Sequence, residues 1–201
     1  MSLSLRSALV AAVLTVAAAC STDRAAPSAP ALFSPKEAST GTTSTLTTSQ
    51  AAQGTVIAVK RKQPLRQNIS SSAVIGPAGG SIEIANAGVQ INFSSGAIAV
   101  PTTITVTALA GNMLAYEFQP HGIQFSQEVK IKQDMKPTNW YDQYDKSKLE
   151  AAYFKDATQL DQAAGTAVVD EFLPLSVDVS KSKVEFRVTH FSGYIVAMGR
   201  K

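Results

Sequence analysis

From Gly79 onward the chain alternates apolar and polar residues with a period of two, and this restricts its fold more than any other feature. Ile82 and Ile84 flank Glu83, and Val89, Ile91 and Phe93 alternate with Gln90 and Asn92. Ile104, Val106 and Ala108 oppose Thr103, Thr105 and Thr107; Val129 and Ile131 oppose Lys130 and Lys132. Val184, Phe186 and Val188 alternate with Glu185, Arg187 and Thr189 in the same way. Successive side chains of a strand leave opposite faces, so each segment has one dry and one wet side. Turn residues separate the segments at Asn86-Ala87-Gly88, Ser94-Ser95-Gly96, Pro120-His121-Gly122 and Asp178 to Ser182. Leu149 to Phe154, Val168 to Leu175 and Val177 to Val179 supply further strands. Many short half-buried strands predict an all-β chain, an antiparallel β-sandwich.

The N-terminus obeys a different rule. Arg6 precedes a small-residue apolar run, Ala8 to Ala19, that is too short to span a bilayer and reads as an export signal. It ends on Cys20, the only cysteine. Ala17-Ala18-Ala19-Cys20 resembles a bacterial lipoprotein processing box, with Ala17 where that pattern usually has a branched residue. The resemblance implies removal of residues 1–19 and lipid on the sulfur and amine of Cys20. It further implies a membrane partner through that lipid, in the bacterial cell envelope. Ser21 resembles the pattern that permits outer-membrane sorting. Ordinary secretion, with Cys20 left as a stray thiol, is the alternative.

Residues 20–54 are rich in Ser, Thr, Ala and Pro and bury too little apolar area to offset ordering, so a disordered tether is expected. Residues 55–74 are expected as a lead-in with one short strand, and residues 75–199 as the domain. The formal net charge of +3 is too scattered to point to nucleic acid. Its one dense cluster, Lys60, Arg61, Lys62 and Arg66, is expected on a solvated hinge.

Little in the chain promises chemistry. With two histidines, His121 and His190, and one cysteine, a His/Cys zinc site is excluded. The carboxylates lack calcium-loop spacing, and no phosphate loop occurs, so neither metal nor cofactor is expected. Lys136 to Ser147 breaks the alternation. Its Trp140, Tyr141 and Tyr144 are candidate anchors for an envelope protein or polymer, or they pack back onto the sandwich.

Several motifs together resemble the ZU5-type β-sandwich. They are Gly79-Gly80, the run Gly88 to Phe93 with Ser94 to Ile98, Phe118 to Phe125, and His190-Phe191-Ser192-Gly193-Tyr194. The family usually has proline at the position of Ser94. The resemblance implies a non-catalytic binding or spacer domain. It also raises an alternative, self-cleavage, with Ser192 attacking the Phe191 carbonyl and His190 as base. Strand parity predicts that His190 faces the dry side and Phe191 the other.

Overall fold

Alternation in sequence becomes two facing sheets in the computed structural model, which describes residues 54–140 and 148–200, all within the unit Leu46–Lys201. In chain order the strands are β1 (Gly54–Ala58), β2 (Lys60–Leu65), β3 (Ile69–Ile75), β4 (Gly80–Ile84), β5 (Val89–Phe93) and β6 (Thr102–Ala108). Next come β7 (Gly111–Met113), β8 (Ala115–Gln119), β9 (Gln124–Asp134), β10 (Leu149–Phe154) and β11 (Leu160–Asp161). The last are β12 (Thr166–Val169), β13 (Glu171–Leu173), β14 (Leu175–Asp178), β15 (Lys183–His190) and β16 (Gly193–Arg200). The smaller sheet runs β14-β15-β9-β5-β4, and the larger follows β11-β12-β1-β16-β8-β6-β3, with β10 and β13 attached through β16. Strands β2 and β7 form a separate ribbon.

The dry faces are those the alternation marks. Ile82, Ile91, Val129, Ile131, Val184, Phe186 and Val188 of the smaller sheet pack against Ile104, Val106, Phe118, Tyr194 and Val196 of the larger. Burying each large apolar side chain contributes roughly 1.5–3 kcal/mol relative to leaving it exposed.

The last strand serves two cores. Tyr194 and Val196 face the space between the sheets, while Ile195 and Ala197 face a second apolar cluster on the far side. That cluster sits within a circuit of pairing. β1 pairs with β12, whose chain continues through Asp170 into β13; β13 pairs with β10, β10 with β16, and β16 again with β1. Each of four strands sends in two alternate residues: Val56 and Ala58, Ala152 and Phe154, Ala167 and Val169, Ile195 and Ala197. Alanine is frequent there because a ring of four strands encloses little volume. Gly193, opposite Phe154 in the ladder, is fixed for the same reason: a Cβ there would lie 2.2 Å from the Phe154 ring.

Two sequence expectations change. Residues 55–74 are not a lead-in but strands of the sandwich, since β1 and β3 both join the larger sheet. The basic cluster is not wholly solvated either: Lys62 and Arg66 are exposed, but Arg61 is buried. Its guanidinium donates to the Met113 carbonyl at 3.0 Å and to the Tyr116 hydroxyl at 3.2 Å. Tyr116 in turn donates to Gln133 Oε1, and the Gln133 amide donates to the Ala87 carbonyl at 3.1 Å. Because Tyr116 belongs to the larger sheet and Gln133 to the smaller, this polar chain ties the layers together. Period-two reasoning could not find it, since Gln133 is fully buried at an inward position of β9.

Burial pushes the Tyr116 phenol up to about 12, against the opposing charge of Arg61. Burial, reinforced by Glu171 and Tyr153, also raises Tyr194. A folded pKa above the unfolded value of 10.0 gives stability that is complete below that pH and lost as pH rises toward 12. Phenolate absorbance should therefore show two of the five tyrosines retaining their protons well above pH 10, until the chain unfolds.

Candidate functional site

Strand β15 ends at His190 and β16 begins at Gly193, so Phe191 and Ser192 carry the chain from one sheet to the other. Backbone bonds fix this crossing. The Phe191 N–H donates to the Ile123 carbonyl and the Gly122 N–H donates to the Phe191 carbonyl, both at 3.0 Å. The Ser192 carbonyl accepts from the Phe118 N–H at 2.8 Å. The segment Phe118 to Ile123 and the triplet His190-Phe191-Ser192, distant in sequence, are therefore one unit in space.

Phe191 does not face away from the core, as parity predicts; it is fully buried within it. The cause is local. Pairing between β15 and β9 shifts register after Val188, with His190 opposite Gln124, and strict alternation ends there. The Phe191 ring stacks on Phe118 at 4.6 Å and meets Phe125 and Phe93 edge-on at 4.4 and 5.9 Å.

His190 sits at the rim of the space between the sheets. Its Nε2 lies 3.1 Å from Glu171 Oε2 and its Nδ1 lies 3.4 Å from the Tyr194 hydroxyl. The Tyr194 hydroxyl donates to the His190 carbonyl, and the Tyr153 ring meets the imidazole edge-on at 4.8 Å. The histidine and glutamate side chains remain 23 % and 26 % exposed. Glu171, which supplies this bond from β13, carries no signal in the sequence that would link it to His190.

Ser192 is buried, and its hydroxyl is turned onto its neighbour's backbone, donating to the Phe191 carbonyl at 2.6 Å. It accepts from the Tyr153 hydroxyl at 3.3 Å. The bonds of the imidazole thus run to Glu171 and Tyr194, and those of the serine to Phe191 and Tyr153. The structure brings the three residues of the triplet together without joining base to nucleophile.

Beside the His190–Glu171 pair lies an open groove of about 490 Å³. Leu173 and Leu175 provide apolar wall, and Glu128, Glu171, Arg187 and Thr189 provide the polar one. Arg187 is held by Glu128 of the neighbouring strand at 2.9 Å, an exposed pair that screening leaves weak. Among the described residues no group of three or more His, Cys, Asp or Glu is placed to hold a metal ion.

Of the aromatic candidates, Trp140 is fully buried in the main core, packed onto the sandwich. Tyr141 and Tyr144 lie outside the described residues, as does Cys20. His121 is exposed in the turn that precedes Gly122. No protein-family model matches the chain, and no curated protein matches it.

The rings and the imidazole should separate on mutation. In urea denaturation, Phe191→Ala is expected to lose about 3–5 kcal/mol of stability through the cavity it leaves. His190→Gln, which removes a partly exposed pair with Glu171, is expected to lose under about 1 kcal/mol. Equal losses would show that the imidazole, and not the ring cluster, holds the crossing.

Proposed function

We propose that this chain is a lipid-anchored protein of the bacterial cell envelope whose ZU5-like sandwich is a non-catalytic binding or spacer module. The observation that carries the non-catalytic part is the engagement of the only chemically suggestive triplet. His190 Nε2 is bonded to Glu171 and the Ser192 hydroxyl donates to a backbone carbonyl, so no hydrogen bond joins the imidazole to the serine. Anchoring is supported by the export signal that ends on Cys20. The Ser/Thr/Ala/Pro-rich composition after Cys20 suits a spacer. A flexible chain of about thirty residues has a root-mean-square reach of roughly 30 Å, enough to hold a small domain clear of headgroups. Two or more acyl chains make such an anchor stable, because each buried methylene contributes about 0.8 kcal/mol.

Self-cleavage is a second reading, favoured by one observation. The Phe191 carbonyl oxygen already receives the Gly122 N–H at 3.0 Å, a fixed donor where negative charge would grow in an attack on that carbon. The reaction also needs a base on Ser192, and the ring of His190 is bonded elsewhere.

Two measurements decide between these readings. Cys20→Ser should move the protein from the membrane fraction to the soluble one and remove acyl mass from its N-terminus; persistence in the membrane fraction would refute the anchor. The intact mass of the purified chain should stay that of one full-length species on long incubation. A fragment beginning at Ser192 would instead establish self-cleavage.

A further inference from the structure

The groove beside the His190–Glu171 pair exists because β14 is shorter than the strand it pairs with. β14 has four residues and β15 eight, and their ladder stops at Leu175↔Phe186. Beyond that rung the chain leaves through Pro174 for β13, in the facing sheet. The Ser182 carbonyl accepts from the Met135 N–H at the end of β9, and residues bonded to one neighbour alternate along a strand with residues that face the other. Even-numbered residues of β15 therefore bond β9, and odd-numbered ones turn their N–H and C=O groups toward β14. Ser176 Oγ, which donates to the Glu185 carbonyl at 3.2 Å, agrees with this. The next odd residue, Arg187, stands in register with Pro174, which has no N–H to give. Its carbonyl is left as an acceptor on the groove that both residues line.

The charges sort in the same sense. Glu128, Glu171 and Glu185 line the groove with one cation, Arg187. Arg187 is paired with Glu128 at 2.9 Å, and Glu185 with Lys130 at 3.3 Å. Among the described ion pairs Glu171 has only His190, which carries no formal charge at neutral pH. That bond engages Oε2, and a carboxylate accepts through both oxygens. Leu173 lies two residues along β13 from Glu171 and so on the same face. With Pro174 and Leu175 it forms an apolar wall, and both leucines are only partly buried. A volume of about 490 Å³ is in the range of small-ligand sites. An anion in this place meets an uncompensated carboxylate, and a purely apolar ligand desolvates acceptors without bonding them.

We propose that this groove binds an alkylammonium group, its nitrogen at the Glu171 carboxylate and the Arg187 carbonyl, its alkyl chain along Leu173, Pro174 and Leu175. The inference rests on the reading of the domain as a binding module and names the ligand chemistry of that module. A free amine and the lysine side chain of a partner protein both present this group, and the test separates them.

The full chain with Cys20→Ser, isotopically labelled, is titrated at neutral pH and followed by its amide resonances. n-Pentylamine should give saturable shifts at Glu171, Leu173 and Arg187 with a Kd of about 1 mM. Pentanol and pentanoate should leave these amides unmoved. Methylamine, which lacks most of the apolar body, should bind at least about tenfold more weakly. Glu171→Gln keeps the shape and removes the charge, and should weaken pentylamine at least about tenfold; Glu117→Gln on β8 should not. Lysine capped at both backbone ends separates the sources. Binding no weaker than that of pentylamine assigns the site to a protein side chain, and binding at least about tenfold weaker assigns it to a free amine. The ligand series needs no mutation, so it decides the matter even where Glu171→Gln fails to fold. No saturable shift, shifts confined to other residues, pentanoate binding as tightly as pentylamine, or binding indifferent to Glu171→Gln would each overturn the site. The binding-module reading fails separately, by the appearance of a fragment beginning at Ser192.

Discussion

Five aromatic rings meet around the crossing from β15 to β16, and they arrive from separate stretches of sequence. Phe93 ends β5, Phe118 lies in β8, Phe125 opens β9, Phe191 is the crossing itself and Tyr194 belongs to β16. Phe191 touches three of the others. Aromatic pairs of this geometry contribute roughly 0.5–1.5 kcal/mol each beyond their area. The cluster joins both sheets at the point where the chain passes between them, so the layer spacing and the path of the last strand depend on it. The glycines near it serve the same packing. Gly79 has a φ of 78°, and a Cβ there would lie 2.4 Å from the Phe93 carbonyl oxygen, so only glycine lets that backbone pass.

This constraint accounts for packing roles of Phe, Ser and Gly at the crossing. Phe191 fills the core, Ser192 caps the carbonyl beside it, and Gly193 makes room for Phe154. His190 closes the rim by bonding to a strand of the opposite sheet through Glu171. A histidine and a serine two residues apart read as base and nucleophile only when nothing else claims their polar atoms. Here His190 Nε2 lies against Glu171, and the Ser192 hydroxyl lies against the Phe191 carbonyl.

The sandwich was legible wherever one face of a strand meets water. β4, β5, β6, β9 and β15 each show alternation, and each is dry on the expected side. Legibility fails where that premise fails. β16 is buried on both faces, and its run Tyr194-Ile195-Val196-Ala197-Met198 shows no alternation for period-two reasoning to find. Phe191 lies on the side opposite to the one parity predicts because parity cannot be carried through a register shift. Arg61 departs from the expected solvated run because sequence spacing says nothing about a phenol and a carbonyl brought in from β8 and β7. The candidate site was half legible: the triplet could be named, but Glu171, Tyr153 and Gly122 come from other strands and turns.

The larger sheet treats its two ends differently. At one end β1, β12, β13, β10 and β16 form a circuit, with β12 running into β13 through Asp170, and its narrow interior requires alanines. At the other end β3 pairs with β6 and turns through the Gly76↔Gly79 bridge into β4 of the smaller sheet. The N-terminal segment enters through β1, in the closed circuit, and the order β1-β16-β8-β6-β3 separates that entry from β3 by four strand spacings. At about 4.8 Å each, this is roughly 19 Å. The larger sheet thus ends in two different ways, at one end by closing on itself around small residues and at the other by handing the chain to the facing sheet.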